Sequence, residues 1–530
     1  MKSDNKMIFS ILAASTLMLG SCGGGDDDPG TGNGGGQGAG PSIAGNTELT
    51  MSVNTTDMLR NPMNGWVMYV SGSAEPSYFD KQIYLSELGK NVYVRDYSSA
   101  CYIRTGWKSL NPSDGKYAWE DPNNKIAKLV ARAEELKLPI AFRVVVDGRD
   151  QRENTPQFVF DAGAEYWLQD SKYPDRKTPL AMDPIWRQYY EKFVRAFAQR
   201  FNNPETTAFI DAYGLGKWGE GHNVCYEQGN AITDKTVEYK ANTMEWITRL
   251  YADNFTEVPL VINYHRQLGH PVSSGKEAQP DSEALMGIAI KNGYCLRSDA
   301  FGMNNADWGY ADWEKAFART WAYKLPILME GGYIVSSHSY WNDGAGYRRD
   351  HPEDVRQGEF DSSKEAHVNM MDFRVGDETE SWFKTSFNLV KRFNAEGGYR
   401  LYPEKVSMPT AMKSGADASI GHRWRNVGWG YFPNNLPQWN YKYKVAFALL
   451  NAAGEAVQVF VDNGCEPSEW RSGNPYDYTL SVKPSVSAGD YTWGVAIVNT
   501  RKNNTPAIQL AVSRDKTPSG WVKLSQVKVQ

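Results

Sequence analysis

Two glutamates stand among glycines and aromatic rings. The segments Tyr213-Gly214-Leu215-Gly216-Lys217-Trp218-Gly219-Glu220-Gly221-His222 and Leu328-Met329-Glu330-Gly331-Gly332-Tyr333 each set one carboxylate in such company. Glycine allows a tight backbone course and close approach of a ligand, and an aromatic ring offers a face for stacking. Two carboxylates opposed across one bond are what glycosidic cleavage requires: one protonated to release the leaving oxygen, the other ionised as nucleophile or as base for water. The arrangement assigns Glu220 as proton donor, its pKa raised by partial desolvation beside Trp218 and by the second carboxylate, and Glu330 as the ionised partner.

Further candidates gather around this pair. Arg104 and Arg143 would bind substrate hydroxyls or an anionic sugar, or neutralise the glutamates. Trp107, Trp218 and Tyr333 are the aromatic substrate contacts expected. Asn263, His265 and Asp299 are subsite candidates, and His222 follows Glu220 closely enough to tune its pKa. With no HExxH, no CxxC and no cluster of His with Asp at ligand spacing, no catalytic metal or other cofactor is expected.

Such residues cooperate only if the fold brings them to one rim. Between about residues 60 and 400, short apolar runs alternate with segments of helical period. The expected strands are Trp66–Val70, Ser99–Thr105, Pro139–Val146, Ala208–Tyr213, Pro259–Tyr264, Gly293–Asp299, Pro326–Glu330 and Val368–Phe373. Helices are expected near 122–137, 185–201, 236–252, 281–291, 311–322, 353–362 and 381–396. In the first of these Ile126, Leu129, Val130, Ala133 and Leu136 form an amphipathic face. Eight such units predict an α/β fold, a (β/α)8 TIM barrel, whose reacting groups collect at the C-terminal ends of the strands, where the candidates above fall. The Gly-rich phosphate loop of a doubly wound nucleotide-binding fold is missing after the first strand. The barrel is assigned residues 51–403. From 404 to 530 short strands separated by Gly, Asn, Pro and Ser predict an antiparallel β-sandwich in a supporting or glycan-binding role.

The N-terminus carries an address. Lys2 and Lys6 precede a short apolar core from Met7 to Leu19, so residues 1–21 read as a signal peptide, too short to span a bilayer. Leu19-Gly20-Ser21-Cys22 resembles a lipobox, which implies lipidation of Cys22, and Gly23-Gly24-Gly25-Asp26-Asp27-Asp28 looks like an outer-face export tag of some Gram-negative bacteria. Residues 22–50 are expected to be a flexible tether. The implied location is the outer membrane, lipid-anchored and facing the exterior. The 57 basic and 62 acidic residues leave a net charge of −5, which argues against a nucleic-acid partner. The 18 Trp and 30 Tyr are the surplus expected of a protein that stacks on sugars. Cys101, Cys225, Cys295 and Cys465, widely spaced, are expected as buried free thiols.

A glutamate ending strand 4 as acid/base and another ending strand 7 as nucleophile is similar to the large clan of retaining (β/α)8 glycoside hydrolases. Trp107 and Leu110-Asn111-Pro112-Ser113-Asp114-Gly115-Lys116-Tyr117-Ala118-Trp119 also look like that clan's stretch between strands 2 and 3. The chain over residues 60–530 more closely resembles a group of bacterial proteins taken to be glycosidases, through Asn61-Pro62-Met63-Asn64-Gly65, Trp218-Gly219-Glu220-Gly221-His222 and Arg425-Asn426-Val427-Gly428. The resemblance implies a retaining hydrolase acting on a poly- or oligosaccharide. In many clan members Asn precedes the acid glutamate; here Gly219 does. The alternatives are a non-catalytic glycan-binding lipoprotein on the same barrel and, with no positive sign, an adhesin whose sandwich binds a protein.

Overall fold

The computed structural model describes residues 45–149, 154–227, 236–265, 268, 281–299, 301–303, 310–335 and 346–530. The signal segment, Cys22 and most of the expected tether lie outside the described residues. Eight parallel strands close into a barrel in sequence order: β1 (Gly65–Ser71), β2 (Ala100–Gly106), β3 (Ile140–Val145), β4 (Thr207–Asp211), β5 (Leu260–Asn263), β6 (Tyr294–Ser298), β7 (Ile327–Met329) and β8 (Met370–Asp372), which pairs back to β1. Each coincides with a strand expected from sequence. Among the described residues the helices of eight or more residues are α1 (Lys125–Glu135), α2 (Pro184–Phe201), α3 (Thr236–Asn254), α4 (Ser282–Lys291), α5 (Asp312–Trp321), α6 (Pro352–Glu365), α7 (Asp377–Thr385) and α8 (Phe387–Glu396). The single helix expected over 381–396 is thus two, parted at Ser386. Side chains start two of the others: Asn124 accepts from the Ile126 amide and Asp183 from that of Trp186, with Pro184 at the first helical position. These are the local choices that favour a helix start.

Alternation along the strands decides what faces the barrel interior. Met68, Val70, Cys101, Ile103, Phe142 and Val144 point out, into the layer shared with the helices, while Val67, Ala100, Ala141, Phe209, Val261, Cys295, Leu328 and Met370 point in. That inward set is a floor of small and apolar groups. One inward step further up each strand lie Tyr69, Tyr102, Arg143, Asp211, Asn263, Arg297, Glu330 and Asp372, all buried. Every member of this second tier has a polar group, so the barrel holds a charged layer directly above an apolar one.

The sandwich closes the opposite, N-terminal end. Phe432, Leu436, Trp439 and Tyr443 pack in one apolar cluster with the barrel floor. Asn369 Nδ2 donates to the Tyr431 carbonyl at 2.9 Å, and Trp429 Nε1 to the Val368 carbonyl at 2.8 Å. The motif residues Asn64 and Asn426 are joints of this junction: Asn64 Oδ1 accepts from the Tyr399 amide at 2.7 Å and Asn426 Oδ1 from the Arg400 amide at 2.9 Å. Gly398, at φ +53°, passes so close that a Cβ would meet Asn64 Oδ1 at 2.0 Å.

The sandwich has a four-stranded sheet of Asn46–Thr50, Leu401–Pro409, Ala418–Asn426 and Pro475–Val482 facing a six-stranded one centred on Gly489–Asn499. Asn46–Thr50, assigned to the tether from sequence, is an edge strand here, in register with Lys405 to Pro409. Trp424, Trp429 and Trp439 are buried, as are Trp66, Trp107, Trp186, Trp382, Trp470 and Trp493. Among the described residues most tryptophans therefore fill cores. Trp439→Ala should cost about 3–5 kcal/mol of stability, read by urea unfolding.

Candidate active site

At the C-terminal mouth one guanidinium gathers three carboxylates. Arg143, wholly buried on β3, donates from Nε to Asp211 Oδ2 at 2.7 Å, from Nη1 to Glu220 Oε1 at 2.8 Å and from Nη2 to Glu330 Oε2 at 3.0 Å. The two glutamates singled out in the sequence are thus one guanidinium fork apart. Arg297 and Arg374 close on Glu330 from its other sides, so both its oxygens are engaged and the side chain is 0% exposed. Arg297 also donates to Asp372 Oδ2 at 2.9 Å, and Tyr102 Oη to Asp211 Oδ2 at 2.8 Å. Buried charges survive when paired and hydrogen-bonded in this way.

The loop after β4 explains its glycines. Gly214, Gly216, Gly219 and Gly221 all have positive φ, and a Cβ on Gly216 would sit 2.3 Å from the His222 carbonyl oxygen. Trp218 takes the left-handed region too, at φ +59°, an arrangement that costs a β-carbon residue free energy and recurs at functional sites. The result brings Glu220 over Arg143 and places His222 Nε2 3.4 Å from Glu220 Oε2. His265 Nε2 braces the same residue, 2.9 Å from the Glu220 carbonyl oxygen.

Ionisation follows from these partners. Burial pushes the Glu220 carboxyl up, but the His222 hydrogen bond and the charges of Arg143, His222 and Arg104 together outweigh it, leaving it well below the usual range. Glu220 is therefore ionised, the reverse of the raised pKa expected from its sequence neighbours; the arginine and histidine partners are the reason. Glu330 is lowered as well, burial being overcome by Arg143, Arg297 and Arg374. Two carboxyls here are raised: Asp372, lifted by burial against the opposing charge of Arg297, and Asp299 nearer the mouth. Burial, then repulsion from Glu220 and Glu330, push Asp299 up to about 7.

The other candidates separate. Trp107 does not line the mouth: it is buried, donates to Asn111 Oδ1 at 3.2 Å and packs edge-on against Tyr190, so its assignment as a substrate contact is corrected to a core role. Trp218 is partly exposed, with Lys217 Nζ 4.4 Å from its ring centre. Tyr333 is exposed and lies under the Arg374 guanidinium at 4.3 Å. Among the described residues, Asn263 is buried with Oδ1 unpartnered, and Arg104 has Nε and Nη2 buried and unpartnered. Sequence reading missed Tyr69, Tyr102, Asp211, Arg297, Asp372 and Arg374. For all but Arg374, which lies just past β8, the signal was a polar residue two places after an apolar one inside a barrel strand.

Among the described residues no three His, Cys, Asp or Glu are grouped to hold a metal ion, and no helix is long and apolar enough to cross a membrane. Cys101, Cys225, Cys295 and Cys465 are free and buried, as expected.

No protein family matches the chain, and no curated protein matches it either. Among solved structures it is similar to the catalytic domain of β-amylase from Paenibacillus polymyxa, at 10% identity over 63% of this chain and 98% of that one, with a TM-score of 0.40. It is also similar to endo-glycoceramidase II from Rhodococcus sp. in a lactosyl-enzyme intermediate, at 11% identity over 82% and 100% of the two chains and a TM-score of 0.34. A third is GH10 from Paenibacillus barcinonensis, at 14% identity over 51% and 69%, with a TM-score of 0.30.

Proposed function

We propose that this protein is a glycoside hydrolase acting on a poly- or oligosaccharide at the C-terminal mouth of its barrel. The observation that carries the reading is the pair of glutamates held by the two arms of Arg143, Glu220 at 2.8 Å and Glu330 at 3.0 Å, and it is supported by the push of Asp299 up to about 7 while Glu220 is held low. Environments that push neighbouring carboxyls apart in this manner define an acid and a base. The sequence assignment makes Glu220 the donor and Glu330 the ionised group. The ionisation favours a second assignment: Asp299 protonates the leaving oxygen, Glu220 acts as nucleophile or base, and Glu330 is the deeper hub that fixes Arg143, Arg297 and Arg374. Either assignment supplies one proton to the departing oxygen as the anomeric C–O bond breaks, and recovers it from the attacking water. A screen against a glycan panel, with reducing ends and thin-layer products monitored, tests the activity. Specific binding with no new reducing end from any glycan would favour the glycan-binding alternative.

We also propose that Cys22 is lipidated and anchors the protein at the outer face of the outer membrane. Several acyl chains anchor firmly where one does not. Intact mass of membrane-extracted protein should show an N-terminal modified Cys22, and Cys22→Ser should move the protein to the soluble fraction; an unmodified soluble wild type would refute it.

A further inference from the structure

Four guanidinium groups meet at the mouth, and they are not equivalent. Arg143, Arg297 and Arg374 each donate to a carboxylate. Arg104 donates to none: its Nε and Nη2 are buried without a partner among the described residues. Alternation along β2 puts Arg104 on the same inward face as Tyr102, one step nearer the mouth. Two more buried groups on the adjoining strands lack partners, Tyr69 Oη on β1 and Arg374 Nε just past β8. The Arg374 guanidinium lies 5.3 Å from the centre of the Tyr69 ring, and Ser71 of β1 is in register with Arg104. Three strands that neighbour one another around the barrel, β8, β1 and β2, thus present N–H and O–H groups with no acceptor among the described residues.

Leaving such donors buried and unsatisfied costs stability, and a guanidinium costs most. Neutral sugar hydroxyls could occupy them, but two of the three donors belong to cations, and the planar Arg104 fork matches an oxyanion. The opposite side of the mouth is different in kind. It carries the carboxyls of Glu220 and Asp299 and the unpartnered Asn263 Oδ1, which suit hydroxyl donors.

We propose that Arg104, Tyr69 and Arg374 form a subsite for an anionic substituent, a carboxylate or a sulfate ester, on the sugar bound at the mouth. This rests on the hydrolase reading only in placing that sugar next to the reacting carboxyls; the subsite itself is a binding property. Its test is therefore a binding experiment. The full chain is titrated calorimetrically with the methyl glycosides of glucuronic, galacturonic and mannuronic acid, their neutral parents, and the 6-sulfates of those parents. At least one acidic or sulfated glycoside should bind about 10-fold or more tightly than its neutral parent, the scale of charge-assisted hydrogen bonds. The carboxylate and sulfate arms tell which oxyanion fits. The preference should collapse in Arg104→Gln, weaken in Tyr69→Phe and return in part in Arg104→Lys, which keeps the charge but not the fork. Thermal melting checks that Arg104→Gln is folded; should it fail to fold, Tyr69→Phe carries the test. Neutral parents binding as tightly, no binding by any charged glycoside, or a preference that survives Arg104→Gln would overturn the proposal. Anion preference without turnover of any glycan would sink the hydrolase reading and leave the subsite standing, whereas turnover of neutral glycans alone would do the reverse.

Discussion

Asp299→Asn should reduce turnover of natural glycans by about 10²–10⁴-fold, the share a positioned general acid supplies. Aryl glycosides with good leaving groups, which need little protonation, should be much less affected. In the wild type, activity on natural substrates should fall as pH rises through about 7, because the proton on Asp299 is lost there. That alkaline limb should vanish in the variant. Stability gives an independent reading of the same group. A carboxyl raised in the folded state costs nothing below its ordinary value near 3.9, where both states are protonated. The cost grows as pH climbs from there, because the unfolded chain can ionise and the folded one cannot, and it is complete above about 7. Asp299→Asn should therefore raise the melting temperature at pH 7 and above and leave it unchanged at pH 4. If Glu220→Gln instead shows the loss on natural substrates and the sparing of aryl glycosides, while Asp299→Asn does neither, the sequence assignment of the donor is the right one.

The barrel was legible because its strands are buried on both faces, so they stand out as apolar runs between amphipathic helices. The same property hid most of the site. Val67-Met68-Tyr69, Ala100-Cys101-Tyr102 and Cys295-Leu296-Arg297 read as strand interior, and only alternation reveals that Tyr69, Tyr102 and Arg297 leave the apolar floor and enter the polar tier. Strand-end position found Glu220, Glu330, Arg143 and Asp299. It could not assign their protonation, because that depends on which arginine reaches which carboxylate across the barrel. His222 beside Glu220 looked like a tuner, and it tunes downward. The motif asparagines Asn64 and Asn426 proved to be joints of the barrel–sandwich junction, a role that short-range spacing does not announce. In the sandwich, Leu401–Pro409 was obscured by its two prolines and a register shift after Pro403. Ala418–Asn426 was obscured because His422 and Asn426 occupy buried positions along with Ile420 and Trp424.

Glu330→Gln should be the most damaging single change in the barrel. It removes the negative charge on which Arg143, Arg297 and Arg374 converge, and breaking buried ion pairs from one side costs about 3–5 kcal/mol. Since the folded-state pKa of Glu330 is lowered, its contribution is present above the ordinary glutamate value near 4.3 and is lost as pH falls through the folded value. The gap between wild type and variant in chemical denaturation should accordingly be full at pH 7 and narrow in acid. Turnover should fall for natural and activated substrates alike, whichever assignment holds, so loss of activity alone does not say whether Glu330 attacks sugar or holds the arginines that hold Glu220. Azide separates the two. In a retaining enzyme, where nucleophile and acid lie on opposite faces of the ring, azide entering the space left by the nucleophile attacks the anomeric carbon as the aryloxide departs and gives a glycosyl azide of inverted configuration. With Glu220 as nucleophile, Glu220→Ala with an aryl glycoside and azide should yield that inverted product. Glu330→Ala should yield none, because in this assignment Glu330 is fully buried at the arginine hub and does not face the anomeric carbon. An inverted azide from Glu330→Ala and none from Glu220→Ala would return the nucleophile to β7, where the sequence alone had put it.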